Sequence, residues 1–305
     1  MRFPRLPIAF WLLLSICTHA APQQPAQPTS GPGGAKYAHA TVRESEYGAG
    51  GQRFWLFEPA KPAPKTAPLI IFLHGYSATR PEPYLGWITH LVRRGNIVVY
   101  PQYQKDLLTP PPEYHSNIAA AIRRALEVLA EEGHVAPDLD RVAVVGHSAG
   151  GVGSATYAAR AAEDKLPIPK AILPVQSGQG AENGVQIIPL SDLSTIPTTT
   201  RVAIVVGADD HFVGTRSSRK IWEGAKHVSE RRFITVQSDA HGTPRLSSGH
   251  LAPLAPTANA LDWFGYWRLF DELCDAAFSG RPFEPSPAMG KWSDGTAVAP
   301  LLIER

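Results

Sequence analysis

The chain has 305 residues, with 29 Lys and Arg against 27 Asp and Glu and a formal net charge of +2. A length near 300 residues suits one large α/β domain or two smaller ones. Its charged residues are scattered along the chain, which excludes a basic face for nucleic acid.

The N-terminus has the pattern of a secretory signal peptide, at residues 1–20. Met1–Arg5 is basic, Ile8–Ile16 is apolar, and Thr18-His19-Ala20 offers a cleavage site of small residues. Because the apolar run is too short to span a bilayer comfortably, we expect no stable membrane insertion. The segment predicts a secreted or periplasmic protein.

The two cysteines are Cys17 and Cys274. Cleavage would remove Cys17, so the mature chain could form no internal disulfide, although an exported setting would permit one. Lipid attachment at Cys17 is a minor alternative, since the bulky Ile16 precedes it where small residues are usual.

Residues 21–37 are rich in Pro, Gly and Gln and are expected to be a disordered linker. The next two segments, Ala38–Glu44 and Arg53–Glu58, resemble strands and flank a glycine-rich turn. They predict an antiparallel hairpin at the start of the domain.

From residue 69 the pattern alternates between strands and helices. The strand predictions are Leu69–Leu73, Ile97–Tyr100, Arg141–Val145, Ala171–Val175, Val202–Val206 and Phe233–Gln237, and a long helix is predicted over Ala258–Phe278. This alternation predicts an α/β fold with a mostly parallel, doubly wound sheet over residues 38–280. Residues 281–305 are expected to be a C-terminal tail.

A candidate nucleophile follows the strand Arg141–Val145, in the motif Gly146-His147-Ser148-Ala149-Gly150. A strand, Gly-x-Ser-x-Gly and a helix form the layout of a nucleophile elbow, which exposes a serine hydroxyl on a strained turn. The two glycines are needed because side chains would collide where the chain doubles back. The motif therefore predicts Ser148 as a catalytic nucleophile.

A serine nucleophile needs an imidazole base and an acid that orients it, in the chain order Ser, acid, His. Asp209 and Asp210 follow the strand Val202–Val206. We prefer Asp210 as the acid, with Asp209 as a turn or capping residue. His211 is expected to shape the loop rather than to act as the base.

Two histidines are candidates for the base. His241 follows the strand Phe233–Gln237 after a short turn and is preferred, because bases of this kind follow a late strand. His250 is nine residues further on, in a loop that could fold back over the site. Neither belongs to a set of residues with zinc spacing, and no metal or cofactor is expected.

An oxyanion hole requires two backbone N–H donors. We assign one to Ala149, after the nucleophile, and the other to Tyr76, in the loop that follows the strand Leu69–Leu73. The side chains of Tyr76, His147 and Trp87 are candidates for substrate binding, although core packing is favoured for Trp87.

These motifs together resemble the α/β-hydrolase superfamily, over residues 38–280. The chain is similar to its dienelactone hydrolase, acetylhydrolase and cutinase-like (polyester hydrolase) branches. The segment Gly75-Tyr76-Ser77-Ala78 resembles the oxyanion loop of the cutinase-like branch. The resemblance implies a secreted serine hydrolase that cleaves a small-molecule or polymer ester.

Other functions are compatible with the same sequence features. A peptidase or an acyltransferase could use the same residues, and a binding protein could use the same scaffold without catalysis. Residues 177–201 leave no room for a large lid, so an open cleft is expected.

Overall fold

The computed structural model of the chain describes residues 21–178, 188–254 and 257–305. The expected signal peptide at residues 1–20 lies outside the described residues. Over the described ranges, no helix combines the length and the apolarity required to cross a membrane.

Nine strands in the described part of the chain form one sheet. The strands are β1 (Thr41–Tyr47), β2 (Phe54–Ala60), β3 (Thr66–Leu73), β4 (Ile97–Pro101), β5 (Ala136–His147), β6 (Ala171–Val175), β7 (Arg201–Gly207), β8 (Arg231–Val236) and β9 (Leu302–Glu304). The helices are α1 (Leu85–Arg93), α2 (Tyr114–Leu129), α3 (Ala149–Arg160), α4 (Arg216–Gly224) and α5 (Trp267–Ser279), which continues a π-helix at Leu261–Tyr266.

The strand order is β1-β2-β4-β3-β5-β6-β7-β8-β9. Strands β3 to β8 pair in parallel, whereas β1 with β2, β2 with β4 and β8 with β9 are antiparallel. The prediction of a mostly parallel α/β-hydrolase sheet with an N-terminal antiparallel hairpin is therefore confirmed. Parallel strands bring their carboxyl ends to one edge of the sheet, where a site can form.

Helices cover both faces of the sheet, and each face has its own apolar layer. Apolar side chains of α2, α3 and α4 pack on one face, with Ile122 and Val152 fully buried. Those of α1 and α5 pack on the other face, with Ile88 and Phe270 fully buried. Because both faces are covered, the runs Leu69–Leu73 of β3, Val142–Val145 of β5 and Val202–Val206 of β7 are continuously apolar rather than alternating.

A proline interrupts one of the central strands. Pro174 lies within β6 and opposes Gly146 of β5. On its other side β6 pairs with β7 at Ala171, Ile172 and Val175, so the pairing skips the proline. A residue without an N–H is tolerated at that gap in the ladder.

Residues 21–37 pack on the domain instead of leaving it as a free linker. The Gly33 N–H donates to Asp271 Oδ2 at 2.7 Å, and Trp263 Nε1 donates to the Pro25 carbonyl at 3.3 Å. A Pro- and Gly-rich segment cannot build its own core, but partners on the domain satisfy its backbone groups.

The segment 281–305, expected to be a tail, is also part of the folded domain. Trp292 and Met289 are buried, and β9 adds to the edge of the sheet beside β8. Its composition resembles a loop because most of it is irregular, yet its few large apolar side chains dock on the second apolar layer.

Candidate active site

Ser148 occupies a strained turn between β5 and α3, with φ 55° and ψ −118°. A Cβ on Gly146 would lie 2.0 Å from the carbonyl oxygen of Gly150, and a Cβ on Gly150 would lie 2.1 Å from that of Leu73. Neither approach is possible for a residue with a side chain. The turn therefore has the geometry of the predicted elbow.

The structure brings Ser148, His250 and Asp210 together at the carboxyl ends of the strands. Ser148 Oγ lies 3.0 Å from His250 Nε2, and His250 Nδ1 lies 2.8 Å from Asp210 Oδ2. All three side chains are almost buried. A hydroxyl, an imidazole and a carboxylate in this order can pass a proton from the serine to the histidine.

Asp210 follows β7 in a turn that points backbone donors at its carboxylate. Oδ1 accepts the N–H groups of Phe212 and Val213, each at 3.1 Å. Burial by itself would raise the pKa of this carboxyl, but the hydrogen bonds from His250 and from the two N–H groups outweigh it and lower the pKa. The group is therefore an anion beside the imidazole, while the neighbouring Asp209 is exposed.

The structure corrects our preference for His241, because this histidine is not near Ser148 in the described contacts. Its Nε2 lies 2.7 Å from Asp294 Oδ2, and both side chains are about two-fifths exposed. After β8 the chain forms an antiparallel bridge between Asp239 and Leu246. That bridge turns His241 outward and brings the chain back to the site at His250.

The His250 loop, residues 248–252, is held against the ends of β6 and β7. Gln176 Nε2 donates to the Gly249 carbonyl at 2.9 Å, and the Ser248 N–H donates to Ser238 Oγ at 2.8 Å. A Cβ on Gly207 would lie 1.8 Å from the Ser248 carbonyl oxygen. The glycine at the end of β7 thus makes room for the loop, a signal that sequence reasoning did not use.

The β3 loop, residues 74–78, passes directly beside the serine. A Cβ on Gly75 would lie 3.4 Å from Ser148 Cβ. Among the residues that the structure describes, the N–H groups of Tyr76 and Ala149 have no hydrogen-bond acceptor. Two such donors on either side of a nucleophile are available for a developing negative charge.

His74 anchors the start of the β3 loop. Its two ring nitrogens lie 2.6 Å from the Gly75 carbonyl oxygen and 2.5 Å from that of Gln102. Burial lowers its pKa to about 4, although the two carbonyls oppose that shift. The two contacts join the start of the β3 loop to Gln102, which directly follows β4.

Of the three side chains expected to bind substrate, only Tyr76 reaches the surface. It is 51% exposed, and its hydroxyl donates to the Leu107 carbonyl at 2.8 Å. Trp87 is 1% exposed in the second apolar layer, where its ring packs edge-on against Phe72. His147 is 2% exposed, so the predictions for Trp87 and His147 are corrected: both are enclosed by protein.

A cavity of about 380 Å³ begins at Ala149 and follows one face of α3. This face is formed by Ala149, Gly153, Thr156 and Arg160, at the helical spacing of three and four residues. The opposite walls come from the start of α2 and from residues 188–191. Its lining combines apolar residues such as Ile118 and Ile188 with the polar side chains of His115 and Arg160.

No group of three or more His, Cys, Asp or Glu in the described ranges is arranged to hold a metal ion.

Residues 34–214 match a family model described as Chlorophyllase. That family is of the α/β-hydrolase type and is related to cutinase-like and dienelactone hydrolase-like esterases. The match includes Ser148 and Asp210 but ends before both candidate histidines. A search of curated proteins finds no match.

Proposed function

This chain belongs to the chlorophyllase family, and from that premise we propose that it is a serine esterase working through an acyl-enzyme. Family membership implies carboxylic ester hydrolysis in general. The main support for a serine mechanism is the hydrogen-bonded series of Ser148, His250 and Asp210. Ser148 Oγ lies 3.0 Å from His250 Nε2, and His250 Nδ1 lies 2.8 Å from Asp210 Oδ2. No cofactor takes part in the proposed reaction.

In the first half of the reaction His250 Nε2 takes the hydroxyl proton of Ser148 as Oγ attacks the ester carbonyl carbon. The N–H groups of Tyr76 and Ala149 hold the oxyanion of the tetrahedral intermediate. His250 then gives the proton to the leaving alcohol, and the acyl group stays on Ser148. Asp210 keeps the proton on Nδ1, so that Nε2 is free to act as the base.

In the second half water replaces the alcohol. His250 takes a proton from the water, whose oxygen attacks the acyl carbon. The intermediate collapses with return of the proton to Ser148 Oγ and release of the carboxylic acid. Nothing is oxidised or reduced, and the net reaction consumes one ester and one water.

The cavity along α3 supports an ester with one extended arm. Its volume of about 380 Å³ lies within the range of small-molecule sites. Ala149, which follows Ser148 in the chain and is a proposed oxyanion donor, is one of its lining residues. We place either the acyl or the alcohol arm there.

Export also belongs to this proposal, and it rests on the basic and apolar pattern of residues 1–20. Sequencing the N-terminus of the protein recovered outside the cytoplasm tests it. We expect the mature chain to begin at Ala21. An intact Met1 on exported protein would contradict cleavage.

The proposal is tested by Ser148→Ala, with Ser154→Ala as the matched control. Ser154 is buried in α3, six residues after Ser148, and its hydroxyl donates to the Gly151 carbonyl. Ser148→Ala should abolish turnover of p-nitrophenyl acetate and labelling by a fluorophosphonate probe, whereas Ser154→Ala should keep both. Unchanged turnover in Ser148→Ala would refute the mechanism.

A further inference from the structure

We propose that His147 and Tyr84 are positioning residues that join the β3 loop, the elbow and the His250 loop into one hydrogen-bonded unit. Tyr84 OH lies 2.9 Å from Gly75 N and 2.9 Å from His147 Nδ1. His147 Nε2 lies 2.9 Å from the carbonyl oxygen of His250. This inference rests on the proposed esterase function and assigns two residues that act through others.

The donors and acceptors of this unit can be arranged in only one way with neutral side chains. The Gly75 N–H can only donate, so the Tyr84 oxygen accepts. The Tyr84 hydrogen then points to His147 Nδ1, which accepts with its lone pair. The remaining ring proton of His147 is on Nε2, and it donates to the His250 carbonyl.

Burial keeps both side chains neutral. It lowers the pKa of His147 to about 3, and the charge of His250 contributes in the same direction. Burial also raises the pKa of the Tyr84 hydroxyl above its ordinary value. His147 therefore holds the tautomer described above even while His250 carries the catalytic proton, although their rings are only 4.8 Å apart.

The unit holds the backbone on both sides of the proposed reaction. At the His250 loop, His147 fixes the carbonyl of His250, and Gln176 fixes that of Gly249. At the β3 loop, Tyr84 fixes the N–H of Gly75, which precedes the oxyanion donor Tyr76. Proton transfer and oxyanion binding thus share one anchor, and both should lose alignment when it is removed.

The test uses Tyr84→Phe, which removes one hydroxyl and both of its hydrogen bonds. The matched control is Tyr157→Phe, because Tyr157 is also fully buried but donates to the Pro167 carbonyl. We expect kcat for p-nitrophenyl acetate to fall about 10- to 100-fold in Tyr84→Phe, the effect of a small misalignment, with KM within about threefold. The control should keep kcat.

A second pair of variants covers the possibility that Tyr84→Phe does not fold. His147→Leu removes both of the ring's hydrogen bonds, whereas His147→Gln keeps an amide N–H that can reach the His250 carbonyl. We expect His147→Gln to recover at least about a third of the kcat that His147→Leu loses. The free energy of unfolding of His147→Gln should be no higher than that of His147→Leu.

Pre-steady-state release of p-nitrophenol locates the loss in the acylation step, and a thermal scan separates it from unfolding. The inference is overturned if folded Tyr84→Phe keeps the wild-type kcat, or if Tyr157→Phe loses as much. Failure of the esterase proposal itself gives a different result, since Ser148→Ala would then remain active.

Discussion

His241 and Asp294 are paired at the surface, with 2.7 Å between Nε2 and Oδ2, whereas the ring of His250 is enclosed between Ser148 and Asp210. The pairing lowers the pKa of the Asp294 carboxyl to about 2, chiefly through the hydrogen bond from His241. Two histidines nine residues apart thus have separate carboxylate partners. Their roles can be separated by substitution.

His250→Ala should lower kcat by about 10³-fold or more, since a serine without its base is a weak nucleophile. His241→Ala should change kcat by less than about twofold, because its partner is a surface carboxylate. Steady-state hydrolysis of p-nitrophenyl acetate measures both. The assignment fails if the two variants exchange these results.

Asp210→Asn should lower kcat by about 10⁴-fold while leaving the fold intact, because an amide can leave the His250 proton on the wrong nitrogen. The adjacent Asp209→Asn is the control, since that side chain is exposed. Circular dichroism establishes folding, and kcat is measured for both. Equal losses in the two variants would contradict the role of Asp210.

Ser191→Trp should shorten the esters that the enzyme accepts. Ser191 lines the cavity along α3 and is half-buried, so a large ring there can fill the space without entering the core. We expect kcat/KM for a p-nitrophenyl octanoate, or for an octyl acetate, to fall about tenfold. Activity on p-nitrophenyl acetate should stay within about threefold.

The control for this prediction is Ser229→Trp, at an exposed position before β8 and thus at the other edge of the sheet. It should leave the chain-length profile unchanged. If Ser191→Trp lowers kcat/KM equally for acetate and octanoate esters, the cavity does not hold the substrate arm.

Asp262→Asn should stabilise the protein at neutral pH. Burial raises the pKa of the Asp262 carboxyl to about 7, although its hydrogen bond from the Asn259 N–H opposes the shift. An unfolded Asp has a pKa near 3.9. The native state therefore binds more protons between about pH 4 and 7, and the free energy of unfolding falls as pH rises through that window.

An asparagine keeps the oxygen that accepts the Asn259 N–H but never ionises. The advantage of Asp262→Asn should therefore be small at pH 4, grow to the order of 3 kcal/mol by pH 7 and then level off. Urea unfolding at several pH values measures it. An advantage that is largest at pH 4 would have the wrong sign for a buried carboxyl.

The elbow and the parallel sheet could be predicted because their signals are local. The elbow is marked by a short motif, in which a side chain on Gly146 would meet the Gly150 carbonyl only four residues away. Apolar runs such as Val202–Val206 likewise mark buried strands directly. Asp210, the proposed acid, follows one of these strands, so its place in the fold was also predictable.

The proposed base, His250, depends on a contact between residues that sequence spacing does not encode. The bridge between Asp239 and Leu246 returns the chain to the site and decides between His241 and His250. The same limit applies to Trp87, since an aromatic residue at helical spacing suits either a core or a pocket. Trp87 lies in the core because Phe270 of α5 packs against it, and α5 comes far later in the chain.

The three-residue strand β9 has a consequence for the behaviour of the protein in solution. It occupies the outer hydrogen-bonding groups of β8, and at the opposite edge of the sheet β1 carries the charged residues Arg43, Glu44 and Glu46. Both edges of the sheet are thus protected against pairing with a strand of another molecule. Deletion of the last five residues should therefore promote self-association while having little effect on ester turnover.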